Sequence, residues 1–129
     1  MKADFNLYPN FSKEEFDCKH TGNNEMKHSF MSKLQALRTA YGKPMSISSG
    51  YRDYSHPVES KKKRKNGAHP TGLAVDIVIA RKEAYTLLKL ALELGFTGIG
   101  IKQSGSSRFI HLDTIEESPS QPRPTIWSY

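Results

Sequence analysis

Two short segments of the chain carry residue types that bind metal ions and move protons. Residues 69–76 read His-Pro-Thr-Gly-Leu-Ala-Val-Asp, and residues 109–113 read Phe-Ile-His-Leu-Asp. Two imidazoles and one carboxylate are enough to hold a zinc ion whose fourth position stays open to water, and a second carboxylate can transfer protons. His69, Asp76 and His111 are therefore candidate metal ligands, and Asp113 is a candidate catalytic residue of a zinc hydrolase.

A plainer interpretation of the same histidines is also open. His69 could be a surface loop residue, and His111 could be a hydrogen-bonded histidine within a strand. Strand alternation favours the metal site, because Phe109, His111 and Asp113 share one face while the two aliphatic residues between them share the other. The chain has no His-Glu-x-x-His motif, so the common helical zinc-protease arrangement is excluded.

Apolar periodicity predicts the helices around these residues. The Ser12-x-x-Glu15 spacing is that of a capping box and predicts the start of a short helix. Apolar residues at positions 26, 30, 34, 37 and 41 form one helical stripe, which ends at Gly42 and Pro44. A second amphipathic helix is predicted over residues 81–94, with apolar positions 84, 87, 88, 91 and 92 and with Gly95 as its stop.

Five segments have the patterns of strands. Residues 45–48 alternate, residues 73–79 form a β-branched run, residues 98–101 and 108–113 form a hairpin, and residues 125–129 close the chain as an edge strand. Asp76 interrupts its apolar run, and because burying an unpaired carboxylate costs several kcal/mol, it needs a partner such as a cation. We predict a single-domain α+β fold with a small antiparallel sheet, two main amphipathic helices and a zinc site on the sheet.

Size, charge and cysteine content limit the function without choosing it. The 129 residues correspond to one domain, 1–129, and the formal net charge of +6 suits a polyanion such as nucleic acid, an anionic membrane or a bacterial cell-wall polymer. The single Cys18 excludes an intramolecular disulfide and a multi-cysteine metal site. A basic loop at about 56–68 carries Lys61-Lys-Lys-Arg-Lys65, for which solvation is favoured over wall binding, and a Pro-rich segment covers about 117–129.

Seven motifs run through most of the chain in a specific order. They are Phe-Ser-Lys-Glu-Glu-Phe at 11–16, Leu-Gln-Ala-Leu-Arg at 34–38, Ser-Gly-Tyr-Arg at 49–52, His-x-x-Gly-x-Ala-x-Asp at 69–76, Gly-Phe-Thr-Gly-Ile-Gly at 95–100, Phe-Ile-His-Leu-Asp at 109–113 and Trp-Ser-Tyr at 127–129. In this combination the sequence resembles the zinc D-alanyl-D-alanine carboxypeptidase family, which includes phage L-alanyl-D-glutamate endolysins and vancomycin-resistance dipeptidases. It is most similar to the small phage-like or prophage-like members.

The resemblance implies a zinc metallopeptidase that hydrolyses peptidoglycan stem peptides, at either a terminal D-Ala-D-Ala bond or an internal L-Ala-D-Glu bond. It makes the three candidate ligands zinc ligands, with Zn²⁺ as the cofactor. It also gives Arg52 the task of binding a substrate carboxylate or the developing oxyanion, which suits a planar, permanently charged guanidinium. Arg52 could instead form a surface salt bridge with Asp53 or Glu59.

Two positions depart from the usual pattern of that family. Many relatives place the general base three residues before the last zinc histidine, where this chain has Arg108, and relatives usually have Ser where this chain has Gly67. The small phage-like members share the His-x-Asp pattern, so Asp113 could be the general base or could orient a ligand histidine. The missing acid leaves open a catalytically silent peptidoglycan-binding or phage structural module with the same fold.

A small nucleic-acid-binding domain is a third alternative, suggested by the charge and the lysine run. Few aromatic residues interleave with the basic ones and no recognised motif is present, so we expect no specific nucleic-acid partner. The sequence shows no apolar signal segment and no membrane-spanning stretch. We therefore expect a monomer that is synthesised in the cytoplasm, has no membrane partner and acts on the cell wall after phage lysis or virion delivery.

Overall fold

The computed structural model describes residues 1–63 and 65–129. Two long helices and five strands are the main elements of these residues. In chain order the helices and strands are α1 (His28–Tyr41), β1 (Ser46–Ser49), α2 (Pro57–Ser60), β2 (Ala74–Val78), α3 (Arg81–Glu93), β3 (Gly98–Lys102), β4 (Phe109–Asp113) and β5 (Thr125–Ser128), with short 3-10 turns at Phe5–Leu7, Lys13–Phe16 and His69–Thr71. The predicted α+β class with two main helices is confirmed.

The five strands form one sheet in the order β1-β2-β4-β3-β5. Four of them pair antiparallel as predicted, including the β3–β4 hairpin, but β5 lies parallel to β3 at the edge. The sheet is therefore mixed rather than purely antiparallel. The chain passes from β3 through the antiparallel β4, and residues 114–124 then link the end of β4 to the start of β5 at the same end of the sheet, beside Gly98 of β3.

Alternation along the strands separates an apolar face from a polar face. Val75 and Ile77 of β2 and Ile110 and Leu112 of β4 are almost fully buried on the apolar face. On the other face, the register sets Asp76 directly opposite His111. The polar residues predicted to converge thus start from neighbouring positions of two paired strands.

Helices α1 and α3 contribute to the hydrophobic core. The predicted stripe of α1 is confirmed, because Phe30, Leu34 and Leu37 are fully buried, and a left-handed Gly42 follows the last helical residue. In α3 the buried positions are Ala84, Leu87 and Ala91. Leu92, predicted to belong to that stripe, is 58% exposed instead; at about 100° per residue it lies well round the helix from the buried stripe.

Several local predictions can be compared with the structure. The capping box is present, and the backbone N–H of Ser12 donates to Glu15 Oε2 at 2.7 Å. The segment predicted as a basic loop contains the short helix α2, while its described lysines at 61–63 and 65 are exposed. Arg64 of the basic run lies outside the described residues.

None of the helices in the described residues has the length and apolar character needed to cross a membrane.

Candidate metal centre

His69 enters the site from the 3-10 turn before β2. Its Nδ1 lies 2.7 Å from the carbonyl oxygen of Gly50, and because a carbonyl only accepts, this nitrogen carries the proton. The other ring nitrogen, Nε2, faces Asp76 Oδ1 at 3.4 Å. The backbone of residue 50 thus orients the ring so that a lone pair on Nε2 is available to a metal ion.

Asp76 and His111 complete the ligand group from facing positions on β2 and β4. His111 Nδ1 lies 3.0 Å from Asp76 Oδ1, and one ligand atom from each of the three residues lies within 4.8 Å of the others. The two separations from Asp76 Oδ1 are close to the edge of a tetrahedron with zinc bonds of about 2.0–2.1 Å, which is about 3.3 Å. The donor set and its spacing therefore fit a divalent metal such as zinc.

The turn that carries His69 ends at Gly72, and two separate features of this position require glycine. Gly72 has φ +74°, and a Cβ on it would overlap the carbonyl oxygen of Glu25. The close approach is to the backbone of the segment before α1, where the N–H of Lys27 also donates to the carbonyl oxygen of Gly72 at 2.9 Å, so this segment holds the turn in place.

Asp113 contacts the second ring nitrogen of His111. Its Oδ2 lies 2.8 Å from His111 Nε2, and the same carboxylate accepts from Arg123 Nε at 2.9 Å and from Arg123 Nη2 at 2.8 Å. The backbone N–H of Ile115 is a further donor at 3.3 Å. Asp113 is fully buried, so these contacts favour its role in orienting His111, while its role as general base stays a prediction.

The pKa values of the three central groups are set by their mutual hydrogen bonds. Burial alone would raise the pKa of the Asp76 carboxyl, but hydrogen bonds with His111 and His69 hold that pKa below its ordinary value. Burial raises the pKa of Asp113 as well, and hydrogen bonds from His111 and Arg123 lower it by more. For His111, burial lowers the pKa while hydrogen bonds to Asp113 and Asp76 raise it above the usual value. Both carboxylates are therefore ionised near neutral pH, which is the state a metal ligand needs.

Arg52 lies beside the ligand group, and its side chain is 19% exposed. Its Nη2 is 3.9 Å from Asp76 Oδ2, and its Nη1 pairs with Glu59 Oε2 at 3.2 Å. The predicted alternative of a salt bridge with Glu59 is thus present, but the pair is largely buried rather than on the surface. Because Glu59 is buried and also pairs with Lys62 at 3.2 Å, it fixes the guanidinium next to the ligands.

A cavity of about 530 Å³ opens over the ligand group. Its lining includes all three candidate ligands and Arg52, and the C-terminal residues Arg123, Trp127 and Tyr129 also face it. Among the described lining residues, Asp76 is the only acid. Arg108, which stands where many relatives have an acid, lies outside this lining and donates through Nε to the carbonyl oxygen of Gly105 at 2.9 Å.

A comparison with protein families agrees with this geometry. The model of the Peptidase M15 family matches residues 9–113, a span that holds all three ligands and Arg52. The chain belongs to the Peptidase M15 family. Members of this metallopeptidase family are typically zinc enzymes. A search of curated proteins returned no match.

In this M15 protein, sequence reasoning missed the parts played by Arg123 and Trp127, and it named Glu59 only as a possible surface partner of Arg52. None of them has a spacing that points to the ligands, because Glu59 comes from α2 and the other two come from beyond the family match. One signal was available in β3, where Gly98 and Gly100 leave the polar face without side chains. A Cβ on Gly98 would overlap the carboxylate of Asp113, and one on Gly100 would lie 2.6 Å from the Trp127 ring.

The bare face of β3 gives a stability prediction. We expect Gly98→Ala to lower the free energy of unfolding by about 1–3 kcal/mol, since the added methyl group must displace a buried carboxylate. Urea denaturation would measure it, with Ser128→Ala at an exposed position of β5 expected to change the free energy of unfolding by less than about 0.5 kcal/mol. An unchanged midpoint for Gly98→Ala would mean that Asp113 does not lie over β3.

Proposed function

We propose that this M15 protein is a zinc-dependent peptidase that hydrolyses peptidoglycan stem peptides. The observation that carries the proposal is the buried group of His69, Asp76 and His111 at a cavity that also contains a fixed guanidinium. Three protein ligands with room for a further one is the arrangement of a catalytic rather than a structural zinc site. Membership of the metallopeptidase family supports the same reaction class.

The side chains of the site divide the work between holding the metal and binding the substrate. When bound, zinc supplies the Lewis acid that polarises the scissile carbonyl and makes water reactive near neutral pH. His69, Asp76 and His111 hold it, and Asp113 keeps the ring of His111 in place. Arg52 offers two-pronged hydrogen bonding to a carboxylate or to the oxygen on which charge develops.

The peptidoglycan substrate is supported by charge and by the motifs. Stem peptides carry free carboxylates, and the cavity presents Arg52 and Lys62 together with a chain of net charge +6. Arg52 can bind a carboxylate next to either of two bonds, the terminal D-Ala-D-Ala bond or the internal L-Ala-D-Glu bond. The likeness of the motifs to small phage-like members supports an endolysin-like role, as a monomer acting on the cell wall after phage lysis or virion delivery.

The deciding experiment combines metal analysis with mass spectrometry of digested peptidoglycan. We expect about one zinc per chain and the release of stem-peptide fragments with new amino termini or of free D-alanine, either of which identifies the bond. Treatment with a chelator should stop the release, and added zinc should restore it. Zinc-loaded protein that releases nothing from purified peptidoglycan would overturn the proposed activity.

One observation favours a second candidate function, a catalytically silent peptidoglycan-binding module. Among the described residues, Asp76 is the only acid lining the cavity, and Asp76 belongs to the ligand group. A module of this kind would sediment with purified peptidoglycan without releasing amino groups from it. The digestion experiment therefore separates the two functions, because binding without fragments supports the module and fragments support the peptidase.

A further inference from the structure

We propose that Arg123 is a positioning residue of the metal centre, acting through Asp113 on the orientation of His111. The inference rests on the metal-binding part of the proposed function and not on the substrate. It assigns a task to the segment 114–129, which lies beyond the residues matched by the family model. Two contacts in series and the packing of Trp127 against His111 and Arg123 carry it.

The first contact is a two-pronged ion pair between Arg123 and Asp113. The guanidinium donates through Nε to Oδ1 at 2.9 Å and through Nη2 to Oδ2 at 2.8 Å. The Asp113 side chain is fully buried, and that of Arg123 is 8% exposed. Because a planar fork fixes both oxygens at once, the carboxylate cannot turn about its own axis while the pair is intact.

The second contact joins the fixed carboxylate to the imidazole of His111. Asp113 Oδ2 lies 2.8 Å from Nε2, which makes this nitrogen the donor and leaves Nδ1 facing Asp76 and the ligand group. A carboxylate that receives the outer N–H of a ligand histidine determines which ring nitrogen meets the metal and how the ring is aimed. Arg123 therefore acts on His111 although it does not touch it through a hydrogen bond.

Trp127 packs against His111 and Arg123, the first and last residues of these two contacts. Its ring centroid lies 5.1 Å from that of His111, and Arg123 Cζ lies 5.5 Å from the centroid of the Trp127 ring. The bare position of Gly100 gives the indole the room to lie over β3. The link 114–124 before β5 thus lies against the ligand group, with Arg123 held between Asp113 and an aromatic face.

The same contacts argue against a role for Arg123 in binding the substrate, although it lines the cavity. The edge formed by Nε and Nη2 is already occupied by Asp113, and Nη1 donates to the carbonyl oxygen of Pro122 at 2.8 Å. A substrate carboxylate could therefore use the Nε–Nη2 edge only by displacing Asp113 from its ion pair. Arg52 has no such restriction on Nη2, whose nearest carboxylate oxygen is 3.9 Å away.

The test measures zinc affinity of the full chain, without any peptide substrate, by competition with a chromophoric chelator. We expect Arg123→Lys and Arg123→Gln to bind zinc about 10- to 100-fold more weakly than the wild type, which is the usual effect of losing a group that orients a metal ligand. Arg123→Lys keeps the charge beside Asp113 and so guards against misfolding, which circular dichroism would check. Arg108→Gln is the matched control, expected to bind zinc as the wild type does.

A second readout follows the ligand geometry itself. Cobalt(II) substituted into the site should give a visible absorption spectrum that changes in both Arg123 variants and not in Arg108→Gln. Folded Arg123 variants with wild-type zinc affinity and an unchanged cobalt spectrum would overturn the inference and leave the proposed function standing. A wild-type chain that binds no zinc would overturn both.

Discussion

His69→Ala is expected to weaken zinc binding on the order of 100- to 1,000-fold and to reduce peptide hydrolysis to background. A structural zinc site with four ligands contributes about 10–16 kcal/mol, so one ligand of an equal set is worth about 2.5–4 kcal/mol. His69 contributes Nε2, the nitrogen left available by the hydrogen bond from Nδ1 to Gly50. Besides His69, the ligand group among the described residues consists of Asp76 and His111 alone, so no further side chain can take the place of His69.

Equilibrium dialysis against buffered zinc and release of amino groups from peptidoglycan would measure the two effects. His20→Ala is the matched control, because that histidine is exposed and outside the ligand group. We expect it to retain both zinc and activity. If His69→Ala retained zinc and hydrolysis, His69 would not be a zinc ligand, and the group of His69, Asp76 and His111 would not be the metal site.

Arg52→Lys is expected to lower kcat/KM on the order of 100-fold, while zinc affinity changes by less than about tenfold. Lysine keeps a positive charge near the buried Glu59, so the fold is spared an unpaired carboxylate. It cannot reproduce the planar fork that the guanidinium offers to a carboxylate or an oxyanion.

Steady-state kinetics with a soluble stem peptide, together with zinc titration, separate two roles for Arg52. Arg108→Lys serves as the control, since that arginine bonds to Gly105 outside the cavity, and we expect its kinetics to match the wild type. Zinc affinity that falls in parallel with activity in Arg52→Lys would mean that Arg52 acts by holding Asp76 and not on the substrate.

The site depends on a connection that local sequence patterns describe poorly. Periodicity correctly predicted α1, α3 and the β3–β4 hairpin, because alternation and helical spacing are properties of neighbouring residues. The sequence indicated β5 as an edge strand without fixing its direction, since a four-residue strand has the same pattern whether it pairs parallel or antiparallel. That direction matters, because it starts β5 at the end of the sheet where β4 finishes, and the link 114–124 between them places Arg123 beside Asp113.

The sequence by itself determined which residue types could bind a metal and on which faces they lie. His69, Asp76 and His111 could be named from type, spacing and strand alternation, and Asp76 stood out because an apolar run does not tolerate an unpaired carboxylate. Only the tertiary structure decided that His111 turns Nδ1 toward the ligand group, that Glu59 fixes Arg52, and that Arg123 closes over Asp113. These contacts depend on strand register and on two connecting segments, which bring together side chains that are far apart in the chain. Contacts of this kind produce no periodic pattern in the sequence.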